Sequence, residues 1–368
     1  MLFKLNNKNN MKLLSGIKVL GAGIAFLVVG CTHLGAKVMP PDRISYNKSI
    51  VNSELQQLLL NIVRLRYGDT PQFLSLNNIV SQFSFQGGVA ADFNRSMSPG
   101  SLTTTIDIAP NVSYSEAPTI TYTPMQGEEF VTRLLMPVDV QILKMFLRDG
   151  WGIGRILRTF IQRLGPMPNA ILASRPTSSR IPVYKDFSEF TRILRKLQWL
   201  DGLKAFNDTS DGSFRLMFII TKFDQLNPQE RALLKKLDIT PTDPNFWITT
   251  KDNGQPRNFF AETRTVLAIY NYLSKGVEVP KEHEKVVGMT YYPNGQPFNW
   301  TQVVSGLLDV KYAKFLPVDA YIYIYYRGYY FYVADTDRNS KETLNLLSII
   351  NGIYQGNVQS VLPVFTVS

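Results

Sequence analysis

The sequence predicts an α+β protein in which amphipathic helices alternate with antiparallel β-hairpins. Three observations carry that prediction. Apolar residues recur at helical spacing in separate blocks, the clearest being Leu55, Leu58, Leu59, Ile62 and Leu65. Between such blocks lie Ser-, Thr- and aromatic-rich stretches whose apolar positions alternate, as in Leu102 to Ile108 and Pro118 to Tyr122. Helix and strand signals never settle into regular βαβ spacing, and no fixed-period repeat is present, which favours α+β over a parallel α/β fold.

The N-terminus reads as a targeting signal. Lys12 and Lys18 give a positive start, Val19 to Val29 is an uncharged apolar run of eleven residues, and Val28-Val29-Gly30-Cys31 closes it. A membrane-spanning helix needs about 20 apolar residues, whereas this run has the length of a cleavable signal core. The layout is that of a bacterial lipoprotein signal peptide over residues 1–30, cleaved between Gly30 and Cys31, with lipid on Cys31, the only cysteine. Translation from Met11 would give the same signal at ordinary length. Thr32, where an aspartate would retain the protein at the inner membrane, points to the outer membrane, facing the periplasm. The competing reading is a retained N-terminal helix in which Cys31 is a buried thiol.

Removing residues 1–30 lowers the formal charge from +10 to +6, so the body is mildly basic. Secretion disfavours nucleic acid as a partner and leaves lipopolysaccharide phosphates, peptidoglycan carboxylates or an acidic protein face. With no second cysteine, an internal disulfide is excluded and stability must come from packing and hydrogen bonds.

The segment 32–52, with Pro40-Pro41, reads as a tether, followed by a region of helix, hairpins and helical bundle over 53–165 and an α+β region over 166–368. Ser53-x-x-Gln56 is a capping box for a helix ending at Gly68. Gln86-Gly87-Gly88 and Ser98-Pro99-Gly100 punctuate the alternating stretch as turns, giving hairpins with one wet face; packing of these hairpins within their own fold is the preferred reading, and edges able to accept a partner's strand are the alternative. Thr123-Pro124-x-Gln126 is expected to start a helix that Pro137 interrupts, with a second piece over Val138 to Leu147. A third helix carries Ile153, Ile156, Leu157, Phe160, Ile161 and Leu164 on one stripe, and the three would form a bundle.

Gly165 to Tyr184 reads as a long loop. Asp186-x-x-Glu189 caps a helix through Trp199, and Ala205-Phe206 pairs with Phe214 to Ile220 around Asp211-Gly212. Asn227-Pro228 opens a helix, Asn253-Gly254 suggests a hairpin turn after Phe246 to Thr249, and Thr263 to Leu273 is helical. The strongest strand signal is Ala320 to Tyr326 and Tyr329 to Val333 flanking Arg327-Gly328, an aromatic-rich hairpin. A helix capped by Asn339-x-x-Glu342 and a last strand over Val358 to Val367 complete the chain.

Motifs for chemistry are sparse. His33 and His283 are the only histidines, so no metal site is predicted, and His283 in a charged loop reads as solvated. Asp335-x-Asp337-x-Asn339 resembles the opening of a calcium loop but has Ser340 at the glycine position and Leu346 at the glutamate position; a helix-capping turn fits better. Gly150 to Gly154 has the glycine density of a phosphate loop without the Lys-Ser/Thr ending, which leaves tight packing or an anion site beside Arg155 and Arg158. No G-x-S-x-G elbow is present, and a hydrolase triad would have to recruit His283. No cofactor is predicted. Tyr321, Tyr323 and Tyr325 share one strand face and serve either sheet packing or a partner surface.

Three stretches together resemble an uncharacterised family of proteobacterial envelope lipoproteins: Leu58-Leu59-Leu60-Asn61-Ile62-Val63-Arg64-Leu65-Arg66-Tyr67, Pro118-Thr119-Ile120-Thr121-Tyr122-Thr123-Pro124, and Tyr326-Arg327-Gly328-Tyr329-Tyr330-Phe331-Tyr332-Val333-Ala334-Asp335. The likeness spans most of the chain after the signal. It implies lipidation, in agreement with Cys31, and no activity. The expected function is a non-catalytic assembly or scaffold subunit of an envelope complex, such as a secretion apparatus, anchored in the outer membrane through its lipid. The alternatives are a module binding peptidoglycan or another anionic glycan through Arg155, Arg158 and the tyrosine hairpin, and a hydrolase.

Overall fold

A computed structural model describes residues 34–98, 101–174, 180–208 and 215–355. The signal peptide with Gly30 and Cys31, the turn residues Pro99-Gly100 and Asp211-Gly212, and the strand expected over Val358 to Val367 lie outside the described residues. The chain forms two compact units, one ending at Gln56 and the other starting at Gln57.

Within the first unit, the described residues belong to helix α1 (Leu34–Tyr67), whose later turns lie in the second. The segment expected as a tether is therefore helical from Leu34, and Ser53 sits inside the helix instead of capping it. An N-cap is worth about 1 kcal/mol, whereas extending an existing helix requires no new nucleation, so propagation through Ser53 prevails.

The second unit is α+β, as predicted. A two-stranded ribbon pairs β1 (Leu74–Ser98) with β2 (Ser101–Pro124). Three short helices follow: α2 (Glu128–Leu135), α3 (Val140–Arg148) and α4 (Ile153–Phe160). Strands β3 (Ile161–Leu164) and β4 (Met167–Pro168), helix α5 (Lys185–Trp199), β5 (Leu203–Asp208), β6 (Arg215–Ile220), helix α6 (Pro228–Lys236), β7 (Asn245–Thr249) and β8 (Asn258–Thr263) come next. These strands form one sheet in the order β4-β3-β8-β7-β6-β5. The chain then runs through α7 (Val266–Ser274) and the single turn α8 (Glu284–Val287). It ends in the sheet β10-β11-β9, from β9 (Lys311–Ala313), β10 (Ala320–Tyr326) and β11 (Tyr329–Ala334), and in helix α9 (Arg338–Gln355).

The core lies between α5 and the six-stranded sheet. Phe187, Phe190, Ile193, Leu194 and Leu197 of α5 are buried, and Phe190 meets Phe246 edge-on at 5.7 Å while Phe218 stacks on Phe246 at 5.0 Å. Each such ring contributes roughly 1.5–3 kcal/mol of burial. Arg264 is the largest polar group inside. It donates to the carbonyls of Arg158 at 2.9 Å, Ile161 at 2.8 Å and Asn169 at 2.5 Å, and its carbon Cζ stands 3.8 Å from the centre of the Tyr272 ring. The guanidinium thereby serves carbonyls left open where α4 gives way to β3. Burial lowers its pKa to about 10, which leaves it charged at neutral pH.

Several expectations are corrected. Gln86-Gly87-Gly88 does not turn: these residues pair with Ser113, Val112 and Asn111, so the stretch is one continuous hairpin. The ladder continues on both sides of the two glycines, so their weak strand preference is overruled. Thr123 and Pro124 pair with Ser75 and Leu74, and α2 starts after Gly127. Ile161 to Leu164 keeps its buried stripe but as strand β3, where Arg163 pairs with Glu262 of β8 at 3.0 Å. The helices before it do not bundle alone, since α4 packs on α5 and α7. The loop predicted over Gly165 to Tyr184 contains β4 and a 3₁₀ turn at Ile171–Ser174.

Asn253-Gly254 does not close a hairpin, because β7 and β8 run parallel. Asp252 and Asn253 instead accept N–H groups two residues on, from Gly254 at 3.1 Å and Gln255 at 3.2 Å, and the loop doubles back. Thr265 caps α7, so that helix begins later than expected, after Thr263 has finished in β8. Asn227-Pro228 opens its helix and Arg327-Gly328 closes its hairpin, as expected; the structure adds a capping box between Asn227 and Glu230. Both turn residues of that hairpin have positive φ, 48° and 85°, the two-residue geometry that suits the twist of paired strands.

Candidate interaction site

The ribbon β1–β2 is fixed to the body by two amides. Asn61 of α1 donates to the Gln72 carbonyl at 2.8 Å and accepts the Gln72 N–H at 2.9 Å. One turn earlier, Gln57 accepts the Leu74 N–H at 2.7 Å and donates to its carbonyl at 3.1 Å. The two side chains stand in for a neighbouring strand, so the chain leaves the helix already committed to extended geometry. Phe73 between them is buried, with ring contacts to Phe130 at 5.7 Å and Tyr270 at 5.5 Å, and the Met125 N–H bonds to its carbonyl at 2.9 Å.

From that root the register runs from Leu74 opposite Pro124 to Ser98 opposite Ser101, with one irregularity between Leu76 and Asn78. At about 3.3 Å per residue the ribbon is ~80 Å long. Among the described residues no third strand joins it, and no other element packs along it. Such a ribbon presents a row of unpaired N–H and C=O groups on each edge, which is a template for strand addition.

A second junction joins two of the motifs behind the family resemblance. At the end of α1, Tyr67 meets the ring of Tyr326 at 5.8 Å, and Asp69 accepts from Tyr326 Oη and from Arg327 at 2.9 Å. Burial pushes the Asp69 carboxyl up, but hydrogen bonds from Tyr326 and Arg327 outweigh this and hold it below its usual value. His283 is not solvated as expected. Its Nδ1 lies 2.8 Å from Tyr67 Oη, and its ring sits edge-on to Tyr329 at 5.4 Å. It is a packing group in this junction, and Tyr67, not a serine, occupies its Nδ1.

The predicted anion surface is also corrected. Arg155 donates to the Asn339 carbonyl at 2.7 Å and to Glu342 at 2.8 Å, which leaves its side chain 9% exposed. Arg158 donates to the carbonyls of Val303 at 3.1 Å and Ser305 at 2.9 Å. Both are struts within the fold, and the basis for a glycan module on these arginines falls away. Asn339 serves Arg155, and Asp337 caps α9 in its place by accepting the Ser340 N–H at 3.1 Å.

Tyr321, Tyr323 and Tyr325 do share the outer face of β10, with the centre of the Tyr325 ring 5.0 Å from that of Tyr330 and Lys341 Nζ 4.7 Å from the centre of the Tyr321 ring. The loop before β10 adds Phe315 and Val318, 83% and 96% exposed. A cleft of about 450 Å³ elsewhere is lined by Lys144, Arg148, Gln198 and Phe206.

Gln57 and Asn61 were missed as functional residues. Asn61 left a legible signal, a buried amide inside the apolar stripe formed by Leu58, Leu59 and Ile62. Phe315 and Val318 left none, since exposure of an apolar loop is not encoded locally. No protein-family model, curated protein or solved structure matches the chain.

Proposed function

We propose that this chain is a non-catalytic structural subunit of an envelope complex, held at the outer membrane by lipid on Cys31, with its body in the periplasm. One observation supports this reading above others: a clamped hairpin with strands of 25 and 24 residues and no third strand on either edge among the described residues. Unpaired edges of that length are a liability unless a partner covers them. The resemblance to envelope lipoproteins and the signal at Val28 to Cys31 agree with the location. The exposed tyrosine face with Phe315 and Val318 offers a second protein-binding surface.

The test is purification of the full-length chain from crosslinked envelopes, beside a variant in which residues 81–118 are replaced by Asn-Gly. The intact chain is expected to recover protein partners in fixed stoichiometry, either further copies or other envelope proteins, and the shortened chain to lose them. Recovery of the intact chain as a single copy, crosslinked neither to other copies nor to another protein, would overturn the proposal.

A further inference from the structure

We propose that the β1–β2 hairpin is a stave of an oligomeric transmembrane β-barrel, in which several copies of this chain join their hairpins edge to edge and the closed cylinder crosses a lipid bilayer. This deepens the assembly function above and rests on it.

Residues directly paired across an antiparallel ladder share a face. Along the middle of the ribbon one face takes Phe85, Gly87, Val89, Ala91 and Phe93 from β1. Their partners from β2 are Tyr114, Val112, Pro110, Ile108 and Ile106. The other face takes Gln86, Gly88, Ala90, Asp92 and Asn94, opposite Ser113, Asn111, Ala109, Asp107 and Thr105. One face is apolar and uncharged; the other is small and polar.

The apolar stretch is bounded by Glu116, opposite Phe83, toward the root and by Arg95, opposite Thr104, toward the tip. Phe85 to Phe93 is nine residues, or ~30 Å of strand at about 3.3 Å each. Tilted by roughly 40°, it rises ~23 Å, close to the ~25 Å apolar band of membrane barrels.

Two strands cannot make a core for an apolar face. Lipid can cover it only if every edge group is paired, because each unsatisfied N–H or C=O in hydrocarbon costs several kcal/mol. A single hairpin cannot close on itself, whereas identical hairpins in a ring place the β1 edge of one copy against the β2 edge of the next. The bond from Met125 N–H to the Phe73 carbonyl sets the parity of β2, so that odd-numbered residues direct their N–H toward β1. Pro110, Pro118 and Pro124 are all even-numbered and therefore cost the hairpin's own ladder nothing, and the β2 edge lacks only their three donors, two of them away from the root; β1 contains no proline. Asp92 stands opposite Asp107, a like-charged pair that is unfavourable in a lone hairpin and would be hydrated in a water-filled lumen.

The root supplies an independent observation. Helix α2 begins after three residues and has no buried residue, and Val131, Leu135, Met136, Ile120 and Tyr122 are exposed there. These exposed apolar residues lie in the last residues of β2, and in and directly after the helix that follows it in the chain. No helix among the described residues is long and apolar enough to cross a membrane, so strands would make the crossing.

The test uses the lipidated chain, whose single native cysteine Cys31 is occupied by the lipid, with one new cysteine at each position from 85 to 93 in turn, labelled with a polarity-sensitive fluorophore and reconstituted into phosphatidylcholine–phosphatidylglycerol vesicles. Emission is expected to alternate with period two: shifted to the blue and quenched by nitroxide lipids at 85, 87, 89, 91 and 93, and water-like at the positions between. Water-like emission at every position in a multi-copy particle overturns the barrel and leaves the assembly function standing. Water-like emission in a single-copy protein overturns both.

Discussion

Asn61 and Gln72 close a two-bond ring, side chain to backbone, with the amide donating at 2.8 Å and accepting at 2.9 Å. Position 61 therefore couples helix α1 to the first residues of the ribbon. Asn61→Leu, which preserves volume and burial, is expected to lower stability by about 2 kcal/mol, because the Gln72 N–H and C=O lose their partners. Asn61→Asp keeps the acceptor but sets a carboxylate oxygen against the Gln72 carbonyl at a fully buried position, and should lose at least as much. Urea unfolding checks the magnitude, and faster hydrogen exchange at Gln72 and Leu74 would show that the loss is at the root.

Arg264 gathers carbonyls from α4, β3 and the segment after β4, and has no carboxylate partner among the described residues. Arg264→Met should cost at least ~3 kcal/mol, since several buried acceptors are left unmet at once. Arg264→Lys should rescue little, because a single ammonium cannot reproduce the planar fork. Thermal unfolding of the two variants against the parent measures this; near-parental melting of the lysine variant would contradict it.

Lys275 is buried, and desolvation, with the charge of Arg66 adding to it, lowers its pKa from 10.5 to about 8. Between about pH 8 and 10.5 the unfolded chain holds a proton that the folded chain has released. Stability therefore rises with pH across that window on account of this group, and below it the cost of burying the charge is fully present. Lys275→Met, which keeps the alkyl stem near Trp300, should raise stability at pH 7 by about 1–3 kcal/mol and flatten the window. Denaturant midpoints at pH 7, 9 and 10.5 for parent and variant supply the check.

Gly328 has φ of 85° with open space around a built Cβ, so only its backbone conformation resists substitution. Gly328→Val should cost about 1–2 kcal/mol through strain at positive φ. Gly328→Asn should be nearly silent, because asparagine visits that region. Comparing the two separates turn strain from lost packing.

Much of this fold is legible in the sequence where pattern and punctuation agree. Asn227-Pro228 opens a helix both in sequence and in space, and Arg327-Gly328 closes the hairpin it predicts. The misreadings arise where a local preference is overruled by a longer element. Ser53 is a good N-cap inside a helix that had already begun, Gly87-Gly88 is a good turn inside a ladder that continues on both sides, and Asn253-Gly254 is a good hairpin turn in a loop that doubles back to a parallel strand. Arg155 shows the limit for sites. Its placement beside glycines suggested an anion surface, but its partners Asn339 and Glu342 lie far along the chain and no local pattern announces them. The alternation of β2 was visible over Leu102 to Ile108, yet its meaning needed the register that sets β1 against it.

The most direct measurement is the number of copies in the particle formed by the full-length, lipidated chain extracted from membranes in mild detergent, counted by native mass. The account predicts one fixed integer multiple of the chain mass, falling to a single copy when Asn-Gly replaces residues 81–118. A single-copy mass for the intact chain would contradict it.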